Sequence, residues 1–163
     1  MLPEKLVFVD IETTGLSPAY NRIIEIGILR VEQGEIVDTY QTLINPRCYI
    51  PSIITNITGI TQSDVSDAPT FRDVREELVA MLDGCVFVAH NARFDYGFIQ
   101  NECLLVGQEY AAPRCCTVKL ARTLFPALPR YNLDSIISHF RIPYENRHRA
   151  FDDAKILVEF YKK

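Results

Sequence analysis

The chain has 163 residues and a formal net charge of −4, with 48% hydrophobic and 23% charged residues. These values are typical of one globular domain and exclude collagen-like, coiled-coil and disordered chains, so we expect a single domain over residues 1–163. The apolar runs are far shorter than the roughly 20 residues that cross a bilayer. The N-terminus also has no apolar signal-peptide core, so we expect a cytoplasmic protein that does not contact membranes.

The first part of the chain predicts three antiparallel strands. The run from Lys5 to Glu12 is apolar and β-branched with little alternation, which is typical of a central strand covered on both sides. Two further runs, Arg22 to Val31 and Glu35 to Ile44, flank Gln33-Gly34 and predict a hairpin. The segment from Ile53 to Ser66 predicts short-range structure, with helix-start signals at Thr61 and Ser63.

The rest of the chain alternates between predicted helices and strands. We expect helices at Phe71 to Gly84, Ala92 to Val106, Thr117 to Leu124, Leu133 to Phe140 and Arg149 to Tyr161, and strands at Cys85 to Ala89 and Arg114 to Thr117. This order predicts an α/β domain with a mixed five-stranded sheet and helices on both faces. Five cysteines occur without a C-x-x-C pair, so we interpret them as reduced and place Cys85 and Cys103 in the core.

Two carboxylates end the first predicted strand. Asp10 and Glu12 are two residues apart, so both side chains leave the same face, with Cβ atoms about 7 Å apart. They continue the face of Leu6 and Phe8, where a carboxylate is costly to ionise without a compensating cation. The alternative is a strand end that runs into solvent.

Two further acids lie where a buried site would need them. Asp95 follows a buried strand at the start of a helix, a place that suits either a catalytic group or a carboxylate that complements the helix dipole. Asp153 lies within the apolar stripe of the last helix, where an acid needs a partner. His148 stands just ahead of that helix, within reach of the same point.

Four carboxylates that meet in one place repel one another unless divalent cations lie between them. Oxygen ligands select Mg²⁺ or Mn²⁺ over zinc or copper. Two such ions can support in-line displacement at phosphorus. Because histidine titrates near neutral pH, His148 could then accept a proton from the attacking water.

Three sequence motifs resemble those of the DEDDh 3′–5′ exonucleases, a DnaQ-like family that includes proofreading subunits and the exonuclease domains of PolC-type polymerases. They are Asp10-Ile11-Glu12-Thr13-Thr14-Gly15-Leu16, His90-Asn91-x-x-Phe94-Asp95 and His148-Arg149-Ala150-x-x-Asp153-Ala154. The resemblance implies a ribonuclease H-like fold and release of nucleoside 5′-monophosphates from a 3′ end with two divalent cations.

The same resemblance implies a role for each site residue. Asp10 would bridge both metals, Glu12 and Asp153 would complete the metal that holds the water, and Asp95 would support the second. His148 would be the general base. Contacts to the terminal nucleotide would come from Thr13, Thr14, Gly15, Leu16, Ile57, His90, Asn91 and Phe94. Thr58 replaces the histidine of epsilon-type members, which favours the PolC-like branch.

Charge is divided unevenly along the chain. Residues 1–109 hold 7 basic and 16 acidic side chains, whereas residues 110–163 hold 10 and 5. The basic residues between Arg114 and Arg149 are compatible with a phosphate-facing strip and equally with a solvated face.

The motifs favour an exonuclease that acts on single-stranded or frayed 3′ ends of DNA in proofreading or repair, beside or fused to a polymerase. They do not separate this activity from RNA 3′-end trimming similar to RNase T. A non-catalytic module that binds nucleic acid or a polymerase is a further alternative, although it would be expected to lack one of the four acids.

Overall fold

The computed structural model describes residues 5–163, so residues 1–4 of the predicted domain lie outside the described part. The strands in this range are β1 (Lys5–Thr13), β2 (Ile23–Glu32), β3 (Glu35–Leu43), β4 (Val86–Ala89) and β5 (Arg114–Cys116). The helices are α1 (Ser52–Thr58), α2 (Gln62–Ser66), α3 (Phe71–Leu82), α4 (Ala92–Leu105), α5 (Thr117–Leu124), α6 (Leu133–Phe140) and α7 (Ala150–Tyr161). No helix between residues 5 and 163 combines the length and the apolar character needed to cross a bilayer.

The sheet is mixed and has the strand order β3-β2-β1-β4-β5. The central strand β1 pairs antiparallel with β2 and parallel with β4. The β2–β3 hairpin turns at Gln33 and Gly34, whose φ angles of 51° and 85° match the primed turns that fit the twist of a hairpin. The predicted α/β class and mixed five-stranded sheet are therefore confirmed.

Alternate residues of β1 face two separate apolar cores. Val7, Val9 and Ile11 pack with α3 and α4, whereas Leu6 and Phe8 pack with α6 and α7. Helices therefore cover both faces, as predicted. Because side chains alternate along a strand, Asp10 and Glu12 continue the face of Leu6 and Phe8 and lie on the side of α7.

Gly27 allows the start of α7 to lie directly against the sheet. It pairs with Asp10 across the β1–β2 ladder, and a Cβ atom at this position would overlap the backbone of Ala150 and Phe151. Only a residue without a side chain permits this approach. The first turn of α7 is thereby held next to Asp10.

The cysteines agree with their sequence interpretation. All five are free, and Cys85 and Cys103 are 3% and 0% exposed within the core that contains α3 and α4. They act as small apolar core residues.

We predict that Gly27→Ala destabilises the fold, because the added methyl group meets backbone that cannot rotate away. The free energy of unfolding should fall by about 3 kcal/mol, the upper part of the range for overpacking. Gly97→Ala is the matched control, since its Cβ would lie 3.7 Å from Pro18 Cγ in ordinary contact. Urea unfolding would contradict this account of Gly27 if both variants kept wild-type stability.

Candidate active site

Three of the four predicted acids meet where β1 passes α7. One carboxylate oxygen each from Asp10, Glu12 and Asp153 lies within 4.8 Å of the others. Asp10 and Glu12 come from alternate positions of β1, and Asp153 comes from the first turn of α7. Residues that are about 140 positions apart in the printed sequence therefore form one acidic cluster, which we call the acid triad.

The two oxygens of Asp153 have different surroundings. Oδ2 accepts hydrogen bonds from Arg147 Nη1 at 2.6 Å and from the His148 backbone N–H at 3.2 Å. Oδ1 is buried and has no hydrogen-bond donor among residues 5–163. An unpaired carboxylate oxygen is costly to bury, so this atom indicates a place for a cation.

Asp95 lies beside the triad. It is 4% exposed at the start of α4, and its Oδ2 accepts a hydrogen bond from the Ile11 backbone N–H at 3.1 Å. Ile11 stands between Asp10 and Glu12, so this bond ties α4 to the strand that carries both acids. The charge of Asp95 acts on Asp10 and raises the pKa of that carboxyl, although desolvation is the larger cause.

His148 directly precedes the residue that caps α7. Its backbone is left-handed, with φ of 61°, and its side chain is exposed. The hydrogen bond from its N–H to Asp153 fixes the main chain beside the triad while the imidazole remains accessible to a ligand. This placement suits a group that exchanges protons with water or substrate.

Glu25 holds the beginning of α7 against the sheet through hydrogen bonds. It was not identified from the sequence. It pairs with Glu12 across the β1–β2 ladder and is 6% exposed. Its carboxylate accepts hydrogen bonds from Arg149 Nη2 at 2.6 Å and from the Ala150 backbone N–H at 2.7 Å. A glutamate within the apolar run Ile23–Leu29 is the signal that could have revealed it.

Two of the basic residues between Arg114 and Arg149 already form ion pairs with carboxylates. Arg149 binds Glu25, and Arg147 binds Asp134 and Asp153. These guanidinium groups compensate buried carboxylates at the junction of sheet and helix. Both guanidinium groups are therefore already engaged with carboxylates, and a phosphate contact at either residue stays a prediction.

Burial and mutual repulsion raise the pKa values of the clustered acids. Desolvation is the largest cause for all four, and neighbouring carboxylates add to it for Asp10, Glu12 and Asp95. The pKa of Glu12 rises from 4.5 to about 8, and that of Asp95 rises from 3.8 to about 8. The pKa values of Asp10 and Asp153 are also raised, with Arg147 acting in the opposite direction.

The loop after β1 is held rigidly by local hydrogen bonds. Thr13 Oγ1 donates to the Gly15 carbonyl at 2.6 Å. Thr14 pairs with Arg22 through its backbone N–H at 2.9 Å and its hydroxyl at 3.0 Å. A Cβ on Gly15 would lie 2.6 Å from the Asn21 side chain, which accepts a hydrogen bond from the Ser17 N–H and would have to move. This geometry leaves Leu16, which is 86% exposed, projecting from the loop.

A groove of about 470 Å³ runs beside this loop. We call it the Leu16 groove; its lining includes three of the predicted nucleotide contacts, Leu16, Asn91 and Phe94. It also includes Arg93 and Arg114, and neither forms an ion pair within residues 5–163. The Arg114 guanidinium lies 4.5 Å from the centroid of the Tyr96 ring, which fixes its position.

Two other predicted contacts lie in different surroundings. His90 Nδ1 is 2.8 Å from Thr117 Oγ1, and burial lowers the pKa of this histidine. It thereby links the end of β4 to the start of α5. Ile57 lies on α1 with half of its side chain exposed. A nucleotide contact at either residue stays a prediction.

The donor set of the triad fits hard divalent cations. All of the ligand atoms are carboxylate oxygens, and burial, with mutual repulsion at Asp10 and Glu12, raises the pKa values of these groups. One buried oxygen of Asp153 is without a donor in the described chain. A divalent cation would relieve each of these costs, since oxygen ligands suit Mg²⁺ and Mn²⁺.

We predict that the metal-free protein loses stability as the pH rises from about 5 to about 8. Glu12 and Asp95 hold protons up to a pKa of about 8 in the folded state but release them near their ordinary values of 4.5 and 3.8 when unfolded. The folded state therefore binds more protons across this window, and the free energy of unfolding decreases until it levels off above it. Urea unfolding in EDTA should show this slope, and Glu12→Gln should reduce it. A flat or rising profile in the wild-type protein would contradict the burial of these acids.

Comparison with known proteins shows the family of the chain. A family model described as "Exonuclease" matches residues 7–161. The chain is 42% identical over 159 residues to the PolC-type DNA polymerase III of Clostridium perfringens, covering 98% of this chain and 11% of that protein. It is 36% identical over 160 residues to the 3′-5′ exonuclease DinG of Bacillus subtilis, covering 96% of this chain and 17% of that protein.

A solved structure of exonuclease X in complex with 5′ overhanging duplex DNA superposes with a TM-score of 0.73 at 29% identity. That match covers 96% of this chain and 91% of the other, and it agrees with the predicted ribonuclease H-like fold. The chain thus corresponds to a small part of the two curated relatives and to nearly all of the exonuclease X chain in that structure. The resemblance inferred from the three motifs is confirmed, and the chain belongs to the exonuclease family whose model it matches.

Proposed function

We propose that residues 1–163 form a metal-dependent 3′–5′ exonuclease domain that hydrolyses phosphodiester bonds from the 3′ end of DNA and releases nucleoside 5′-monophosphates. The observation that carries this proposal is the acid triad, in which three carboxylates meet within 4.8 Å of one another in a chain of the exonuclease family. The names of the curated relatives, a PolC-type polymerase and a 3′-5′ exonuclease, support DNA as the substrate and proofreading or repair as the role.

Asp10, Glu12 and Asp153 would hold two divalent cations, Mg²⁺ or Mn²⁺, with Asp95 in support. When bound, such ions stabilise the charge that develops at phosphorus and orient the attacking and leaving oxygens in line. Asp95 contributes by fixing the backbone between Asp10 and Glu12, through its hydrogen bond with Ile11. Glu25 contributes by fixing the first turn of α7, from which Asp153 projects.

His148 would accept the proton that the attacking water loses. Its main chain is bonded to Asp153, and its imidazole is exposed beside the triad, where it is accessible to water and substrate. The left-handed backbone at His148 turns the chain sharply into α7 and keeps this residue outside the helix. Protonation of the ring completes the transfer, and release of that proton to solvent restores the base.

The Leu16 groove would receive the 3′ end of the strand. The exposed side chain of Leu16 and the ring of Phe94 offer apolar surface to a base, whereas Arg93 and Arg114 offer charge to its phosphates. The loop from Thr13 to Leu16 is rigid, so its backbone can hold the terminal nucleotide in a fixed position. Thr14 and His90 would act mainly by shaping this region.

The direct test is digestion of labelled single-stranded, paired and mismatched 3′ ends, as DNA and as RNA, with Mg²⁺, Mn²⁺ or EDTA. We expect stepwise loss of nucleoside 5′-monophosphates from single-stranded and mismatched DNA, abolished by EDTA. A strong preference for RNA would replace the DNA assignment with RNA 3′-end trimming. Intact ends with either metal would instead indicate a non-catalytic module that binds nucleic acid or a polymerase.

We predict different losses for two site variants. Asp10→Ala should abolish turnover, because it removes the ligand that both ions would share. His148→Ala should retain metal binding but slow turnover by roughly 10²- to 10⁴-fold, the usual contribution of a general base. His139→Ala, on the exposed surface of α6, is the matched control and should keep wild-type rates. Equal loss of Mn²⁺ binding in the Asp10 and His148 variants would contradict this division of roles.

We predict that Arg93→Ala and Arg114→Ala each raise the KM for a single-stranded oligonucleotide with little change in kcat. If each arginine contacts one phosphate, each variant should reduce the slope of log affinity against log salt by about 0.7. Arg122→Ala is the control, because the Arg122 guanidinium also lies over a tyrosine ring, at 5.4 Å from the Tyr131 centroid, but does not line the groove. Unchanged salt slopes in both groove variants would exclude phosphate contacts there.

A further inference from the structure

Arg147 carries positive charge into the acid triad. Its Nη1 atom lies 2.6 Å from Asp153 Oδ2, and its Nε atom lies 2.7 Å from Asp134 Oδ1. The Arg147 side chain is only 16% exposed, whereas Asp134 is 67% exposed on the first turn of α6. The guanidinium is therefore anchored at the surface by Asp134 and directed inward to a predicted metal ligand.

The charge of Arg147 reaches beyond Asp153. It lowers the pKa values of Asp10, Glu12 and Asp153, in opposition to the larger effect of burial. The carboxylates on which it acts lie on β1 and α7, and Asp134 on α6 forms its second ion pair. Arg147 thus supplies in the metal-free protein part of the compensation that a divalent cation would supply.

The Asp153 carboxylate has room for both the Arg147 guanidinium and a metal ion, one at each oxygen. Arg147 occupies Oδ2, and Oδ1 remains buried without a donor in the described chain. A metal ion at Oδ1 would then lie within a few ångströms of the guanidinium. Two positive charges at this separation repel each other, and the effect is strong where water is largely excluded.

We propose that Arg147 is a resident counter-cation of the metal site, which holds the acid triad together before divalent ions bind and weakens the affinity for those ions. This inference rests on the proposed metal site. Orientation of Asp153 by Arg147 would have the opposite effect on affinity, since it would favour binding. The electrostatic effect dominates, because the repulsion acts on the doubly charged ion directly whereas orientation concerns one ligand of three.

The test is Mn²⁺ binding to the full chain, measured by calorimetry at low ionic strength and compared with thermal unfolding in EDTA. Arg147→Met should lower the Kd for Mn²⁺ about tenfold and should also lower the Tm without metal, because the carboxylates lose their internal cation. Arg147→Lys keeps the charge, so its Kd should stay within about twofold of the wild type. Asp134→Asn keeps Arg147 but removes its anchor, and it should likewise leave the Kd close to the wild-type value.

An unchanged Kd for Mn²⁺ in Arg147→Met would overturn the inference. A higher Kd would also overturn it, because that result would mean that Arg147 acts by orienting Asp153. Asp10→Asn separates this failure from failure of the proposed function. If Asp10→Asn abolishes Mn²⁺ binding while Arg147→Met leaves it unchanged, the metal site stands and the role of Arg147 is excluded. If Asp10→Asn binds Mn²⁺ as the wild type does, the metal site itself is excluded, and the inference with it.

Discussion

The repulsion among buried carboxylates is the constraint on which the rest of the site depends. Asp10, Glu12 and Asp153 are held within 4.8 Å of one another, with Asp95 close by. Such an arrangement is unfavourable in a metal-free protein, as the raised pKa values show. A fold that keeps this arrangement must hold the acids through stronger interactions elsewhere, and a bound cation would recover the cost.

The fold meets this requirement at the junction of β2 and α7. Gly27 lets the helix approach the sheet to backbone contact, and Glu25 fixes its first turn through Arg149 and the Ala150 N–H. These contacts position Asp153 without using the oxygens of the acid triad. The acids are therefore positioned by groups that remain in place whether or not a metal is present, which is the kind of preorganisation that catalysis by charge stabilisation needs.

Much of the fold and the acids could be predicted from local patterns. The two-residue period of a strand placed Asp10 and Glu12 on one face. Asp153 was identified as a site residue because it is an acid within the apolar stripe of the last helix. The partners of these acids could not be found in this way, because they depend on long-range contacts. Glu25 lies 124 positions from Arg149, in a strand that is buried on both sides and so shows no alternation. The ion pairs of Arg147 and Arg149 were not found either, because composition reports charge but not ion-pair partners.

Diffraction from crystals soaked in Mn²⁺, collected at the manganese absorption edge, can locate cations among the clustered acids. We expect anomalous peaks between Asp10, Glu12 and Asp153, with Oδ1 of Asp153 as a ligand and Oδ2 still bonded to Arg147. Crystals that show no manganese among these acids at saturating concentration, or that show Asp153 turned away from β1, would contradict this expectation.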